Sequence, residues 1–173
     1  MASYYYLISS LPTLNSDDDM PMTYEEFLTC CQGNVSEEDY RILENLTLSS
    51  TEGPLIKEWA STYGMLVKEL NSQRSMALGK QYPSGFDKDA VNTQVVSTAL
   101  AAKNPLEAEQ ILLDYEFQLL DELVGLHMFD DHVLFGYALK LKLLERRSCF
   151  EKTEGQAEFQ HLFEQVQQRV YSL

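Results

Sequence analysis

The chain has 173 residues, enough for one domain with its own core. Apolar residues make up 45% and the formal net charge is −14. That balance argues against a disordered chain and, for want of clustered Lys and Arg, against phosphate-driven binding to nucleic acid or anionic lipid. Three cysteines, an odd number with no CxxC pair, fit reduced thiols in a cytoplasmic protein better than a disulfide framework or a zinc site.

The opening run "YYYLISSL", Tyr4 to Leu11, lacks the basic flank of a secretory signal, and the acidic stretch Ser16 to Asp19 soon follows. It is expected to begin a first helix or to pack as an extended lead-in. Thr23 and Glu26 have the spacing of a capping box, and Gly33 is placed to end the helix they start. Ser36 caps the next helix, whose first turn carries three acids at the positive end of its dipole. Its apolar side is Tyr40, Ile42, Leu43, Leu46 and Leu48.

Pro54 fits a first helical turn, and Ile56, Trp59, Tyr63, Leu66 and Leu70 recur at spacings of three and four. "KQYPSGFD", residues 80–87, breaks that pattern and is the one candidate lobe boundary within an otherwise single helical domain, 1–173. A helix rich in Val and Thr follows, and then Asn104, Pro105 and Glu107 mark a strong helix start. Its stripe runs Leu112, Tyr115, Leu119, Leu123 and Leu126. After a turn at Phe129 to Asp131, Leu134, Tyr137, Ala138, Leu141 and Leu144 line another helix, and Phe159, Phe163, Val166 and Val170 line a closing one. No segment alternates with period two, and none approaches the ~20 apolar residues of a membrane span. The expectation is an all-α protein, six to seven helices in an irregular bundle.

Few constellations invite chemistry. Glu158 and His161 have the Glu-x-x-His spacing of half a di-iron site, but the second such pair is missing. His127, Asp130, Asp131 and His132 cluster at a turn, where a capping Asp and a His suited to a helix C-terminus explain them without a metal. Cys30 and Cys31 sit near a helix C-terminus in the most acidic quarter, the wrong place for a reactive thiolate, and one of them reads as a small core residue. No phosphate-cradling glycine loop is present. The reading is therefore non-enzymatic, with no cofactor, no metal and no small-molecule substrate. Residues 104–139 hold eight acids and no Lys or Arg; Lys140, Lys142, Arg146 and Arg147 follow directly. These bases either pair with the acids of the preceding helix or meet a partner.

Two stretches carry a resemblance: "YYYLISSLPTL…MTYEEFL", Tyr4 to Leu28, and Leu112 to Val166. The chain resembles a family of uncharacterised bacterial proteins associated with V-type ATP synthases. That family is itself similar to the all-helical V-type ATPase subunit that caps the central stalk. The matching residues are Leu120, Asp121 and Glu122, then Phe129 and Asp130, then Tyr137 to Arg146, then Gly155. The resemblance implies a cytoplasmic accessory subunit, peripheral to the membrane, that links rotor stalk to membrane ring and does not itself hydrolyse ATP. Its expected partners are stalk or ring subunits. The contact residues expected from the sequence are Tyr4, Tyr5 and Tyr6, Phe129, Asp130 and Asp131, and Lys140, Lys142, Arg146 and Arg147. The rival readings are a free-standing helical adaptor for an unrelated basic protein and a metal-dependent helical enzyme around Glu158 and His161.

Overall fold

The computed structural model describes residues 4–80, 82 and 85–149. Among these residues the chain is all-α, with seven helices and no strand: α1 (Tyr5–Ser10), α2 (Tyr24–Cys31), α3 (Glu37–Glu44), α4 (Ile56–Ala77), α5 (Ala90–Leu100), α6 (Pro105–Val124) and α7 (Asp131–Ser148). The expected closing helix, with Gly155, Glu158 and His161, lies outside the described residues.

The starts follow the local chemistry. Thr23 and Glu26 close both arms of their capping box, and Ser36 caps α3 through the Asp39 N–H. Asn104 caps α6 by accepting from the Glu107 N–H at 2.9 Å, but the Glu107 carboxylate reaches the N–H of Lys103 instead of that of Asn104. Pro54 falls just before α4, not within its first turn; Leu55 is the N-cap, with a φ of 61°. Leu46 and Leu48 lie beyond the end of α3 yet still face the core.

Helices α6 and α7 form an antiparallel hairpin at the centre. Helices α4 and α5 pack against α6 on one side, and α2 and α3 against α7 on the other. Leu113, Phe117 and Leu120 of α6 meet Leu134, Phe135, Leu139, Leu141 and Leu143 of α7 in one apolar core, completed by Phe27, Cys31, Leu43, Ile56 and Trp59. Burial of each such side chain contributes roughly 1.5–3 kcal/mol. Gly136 sets the spacing at the hairpin's turn end: a Cβ there would sit 2.6 Å from Val124 Cγ2, so only hydrogen allows the approach. The main core does not extend to the outer part of α4 and α5, where Leu66, Val96 and Ala99 are buried apart from it. The 80–87 connection joins these two directly packed helices.

Candidate interaction surface

Two groups of residues far apart in sequence meet at the turn end of the α6–α7 hairpin. Helix α6 stops at Gly125, whose φ of 55° suits a residue without a Cβ. Leu126 therefore falls past the helix, not on its buried stripe as its spacing suggested, and is 99% exposed. The chain then passes Phe129, a non-glycine residue with φ of 58°, a conformation that costs about 1–2 kcal/mol. Three contacts hold it. The Tyr4 N–H donates to the Phe129 carbonyl at 2.6 Å. The Tyr5 ring lies 4.6 Å from the Phe129 ring. The next residue, Asp130, caps α7 by accepting from the Val133 N–H at 3.2 Å.

The three tyrosines divide their work. Tyr4 is buried: its hydroxyl bonds the Asp39 carboxylate and accepts from the Ser36 N–H, tying the lead-in to the start of α3. Tyr5 is 52% exposed and Tyr6 88% exposed. With Leu126, with Met128 at 74% exposure, and with half-buried Phe129, they place five large apolar side chains at one end of the molecule.

Behind the turn, His127 Nδ1 is 2.6 Å from Asp130 Oδ2, His132 Nδ1 is 3.1 Å from Asp131 Oδ1, and the two imidazoles stack at 4.2 Å with planes 4° apart. Burial tends to raise the Asp130 pKa, but the bonds to His127 and the Val133 N–H and the charges of both histidines outweigh it and hold the pKa below the usual value. His127, Asp130 and His132 carry nitrogen and oxygen atoms within 4.8 Å of one another. In-plane lone pairs of parallel stacked rings do not converge on one point, so this arrangement suits the cap and the turn, not a metal. The capping reading of this cluster thus holds for Asp130; His127 sits beyond α6, where its backbone N–H donates to the Val124 carbonyl at the helix end and its imidazole bonds Asp130.

The four bases all have partners within the chain. Lys140 meets Asp121 of α6 at 2.6 Å. Arg146 reaches Glu109 at 2.7 Å and Glu116 at 2.5 Å, both also on α6. Lys142 pairs with Glu145 on its own helix and sits 3.5 Å from the centre of the Tyr24 ring. Arg147 donates to the carbonyls of Ser16, Asp17 and Asp18, pinning the acidic loop. Pairing with the acids of the preceding helix is therefore what Lys140 and Arg146 do.

Two members of the apolar end, Leu126 and Met128, were not singled out from the sequence as contact residues. The signal was available: the glycine before Leu126 ends α6 and removes both residues from its buried face. No family model, curated protein or solved structure matches the chain.

Proposed function

We propose that this chain is a non-enzymatic accessory subunit of a V-type ATPase or ATP synthase, similar to the cap of the central stalk, that docks on stalk or membrane-ring subunits and so lies peripheral to the membrane on its cytoplasmic side. One observation carries the reading: the apolar end formed by Tyr5, Tyr6, Leu126, Met128 and Phe129, mounted on the rigid α6–α7 hairpin. Surface apolar residues occurring singly need no explanation, whereas a group sharing one turn marks an interaction site. Aromatic residues and methionine are the types enriched at such contacts. No described helix is long and apolar enough to cross a membrane.

The test is affinity capture of the tagged chain from its native membranes, compared with a Tyr6→Ser, Leu126→Ser, Met128→Ser variant. These side chains are largely exposed, so the variant keeps its fold. Recovery of V-type subunits by the parent chain, and their loss with the variant, is the expected result. Equal recovery by both would remove the apolar end as the contact face, and failure to recover any V-type subunit would remove the stalk role.

The second reading, a free-standing adaptor for an unrelated basic protein, draws on charge. Residues 1–53 carry ten acids against one Lys or Arg, and such a field steers a basic partner onto its docking face. Capture that weakens steeply with salt and is indifferent to the triple variant would favour it.

A further inference from the structure

Away from that end, helices α4 and α5 enclose an open groove of about 400 Å³. Glu69, Gln73, Met76 and Ala77 line it from α4; Thr93, Ser97 and Leu100 line it from α5, with Lys88 at the connection. Glu69 is 2% exposed. Its Oε1 accepts from the Gln73 side-chain amide at 2.7 Å, and that amide also donates to the Thr93 carbonyl at 3.1 Å. Its Oε2 has no hydrogen-bond partner among the described residues, Lys88 included, and is the one buried side-chain oxygen or nitrogen among them left so. A buried carboxylate oxygen without a donor costs several kcal/mol, so the site calls for a donor from outside.

We infer that this groove binds a primary alkylammonium group, its nitrogen on Glu69 Oε2 and its chain along the apolar wall. Glu69 Oε2 lacks a donor even though Lys88 lines the groove, because the Lys88 side chain is exposed and makes no bond to it. Both Gln73 amide contacts leave Gln73 Oε1 as an acceptor, and the Ser97 hydroxyl lies on the facing helix. An ammonium brings three donors on one point charge and can serve all three oxygens. A guanidinium fork wants both oxygens of a carboxylate, and Gln73 already holds one. A hard divalent cation wants six or more oxygens, and Glu69 is the single carboxylate lining the groove. Met76, Ala77 and Leu100 supply the apolar surface for a hydrocarbon chain. From Glu69 to Met76 the helix rises about 10 Å, the reach of a chain of roughly six to eight carbons. Such a group occurs on a free amine and at the end of a lysine side chain; both present the same chemistry.

The experiment is an amide-resolved NMR titration of the whole chain with n-hexylammonium chloride, with n-hexanol and with the blocked peptide acetyl-Gly-Lys-Gly-amide. The expected result is saturable shifts at Gln73, Thr93, Ser97 and Leu100, and at least about tenfold weaker binding of n-hexanol. Glu69→Gln should weaken the amine by about tenfold or more, since a hydrogen bond to a charged group is lost. Ser97→Phe, which fills the groove and leaves the carboxylate in place, should abolish the shifts, and it carries the test if Glu69→Gln fails to fold. Tighter binding of the peptide than of n-hexylammonium assigns the site to a lysine side chain, and weaker binding assigns it to a free amine. The proposal fails if no saturable shift appears below roughly 10 mM. It also fails if n-hexanol binds as well as the amine, if folded Glu69→Gln binds undiminished, or if the amine binds only once Lys88 is replaced by Ala. This groove is remote in sequence from the apolar end, and its test is independent of the stalk reading.

Discussion

Replacing Arg146 by Met should unfold this protein more readily than any surface change, and should do so in a pH-dependent way. Arg146 lies between Glu109 and Glu116, bonding the first through Nε at 2.7 Å and the second through both terminal nitrogens. Its side chain is 26% exposed, that of Glu109 13% and that of Glu116 4%. Methionine keeps most of the volume and removes the charge, leaving two carboxylates facing each other in the α6–α7 seam. Breaking one partner out of a buried pair costs about 3–5 kcal/mol, and the partial exposure of Arg146 places the expectation near about 3 kcal/mol. For a chain of this length each kcal/mol moves Tm by about 2–4 °C, so Tm should fall by about 10 °C at pH 7. Burial, the leading cause, raises the Glu116 pKa; its bond to Arg146 and that residue's charge lower it, and the charge of Glu109 adds to the rise. Without Arg146 the pKa rises further. A carboxyl whose folded pKa exceeds its unfolded one weakens the fold in full above the folded pKa, and the penalty fades as pH falls from there to the unfolded pKa. The deficit of the variant should therefore shrink as pH falls from 7 towards 4.5. Thermal melts followed by circular dichroism at several pH values measure this. Adding Glu116→Gln should return part of the loss. A variant within about 1 kcal/mol of the parent at pH 7, or a deficit that grows on acidification, would refute the reasoning. The same contacts mean that reversing Arg146 to Glu is no test of a partner surface, because the hairpin would fail first.

Gly136→Ala puts a methyl group against Val124 and should cost about 1–3 kcal/mol in urea unfolding, partly recovered by adding Val124→Ala. Asp130→Ala removes the cap of α7 and the His127 bond and should cost about 1 kcal/mol at pH 7. Because the folded pKa of Asp130 lies below its ordinary value, this contribution is present above the ordinary aspartate range and disappears as pH falls through the folded pKa, so parent and variant melts should converge in acid. Burial pushes the Cys31 thiol up to about 12, while Cys30 and Cys149 are exposed. A thiol reagent at pH 8 should therefore modify two cysteines of the native chain quickly and the third only in denaturant; three fast thiols would contradict the burial.

Local chemistry determined most of the helices before any packing was considered. Thr23, Ser36 and Asn104 cap the helices that begin beside them because short oxygen-bearing side chains satisfy backbone N–H groups wherever a helix starts. The apolar stripes of α4, α6 and α7 follow from a 3.6-residue period that exists in the chain as written. Tyr115, Leu119 and Leu123 face inward as their spacing requires, whereas Leu126, on the same spacing, is cut off by Gly125. What periodicity cannot carry is the pairing of distant residues. That Tyr4 bonds the carbonyl of Phe129, that Tyr5 packs its tilted ring against that of Phe129, and that Arg147 reaches back to Ser16 depends on where α1 and its loop settle against the hairpin. The antiparallel return of α7 decides that Arg146 belongs to Glu116. Nothing in the local run around Glu69 distinguishes it from a solvated glutamate. Glu69 with Gln73, and Thr93 with Ser97, are polar pairs at a spacing of four on consecutive helices, a pattern that solvated helix faces share. Only the packing of α4 on α5 faces those pairs and withdraws one carboxylate oxygen from water without giving it a donor. Capping and periodicity depend on neighbours within a turn of helix, so the chain specifies them alone; contact between faces depends on how the helices pack, and that is decided only when the core closes.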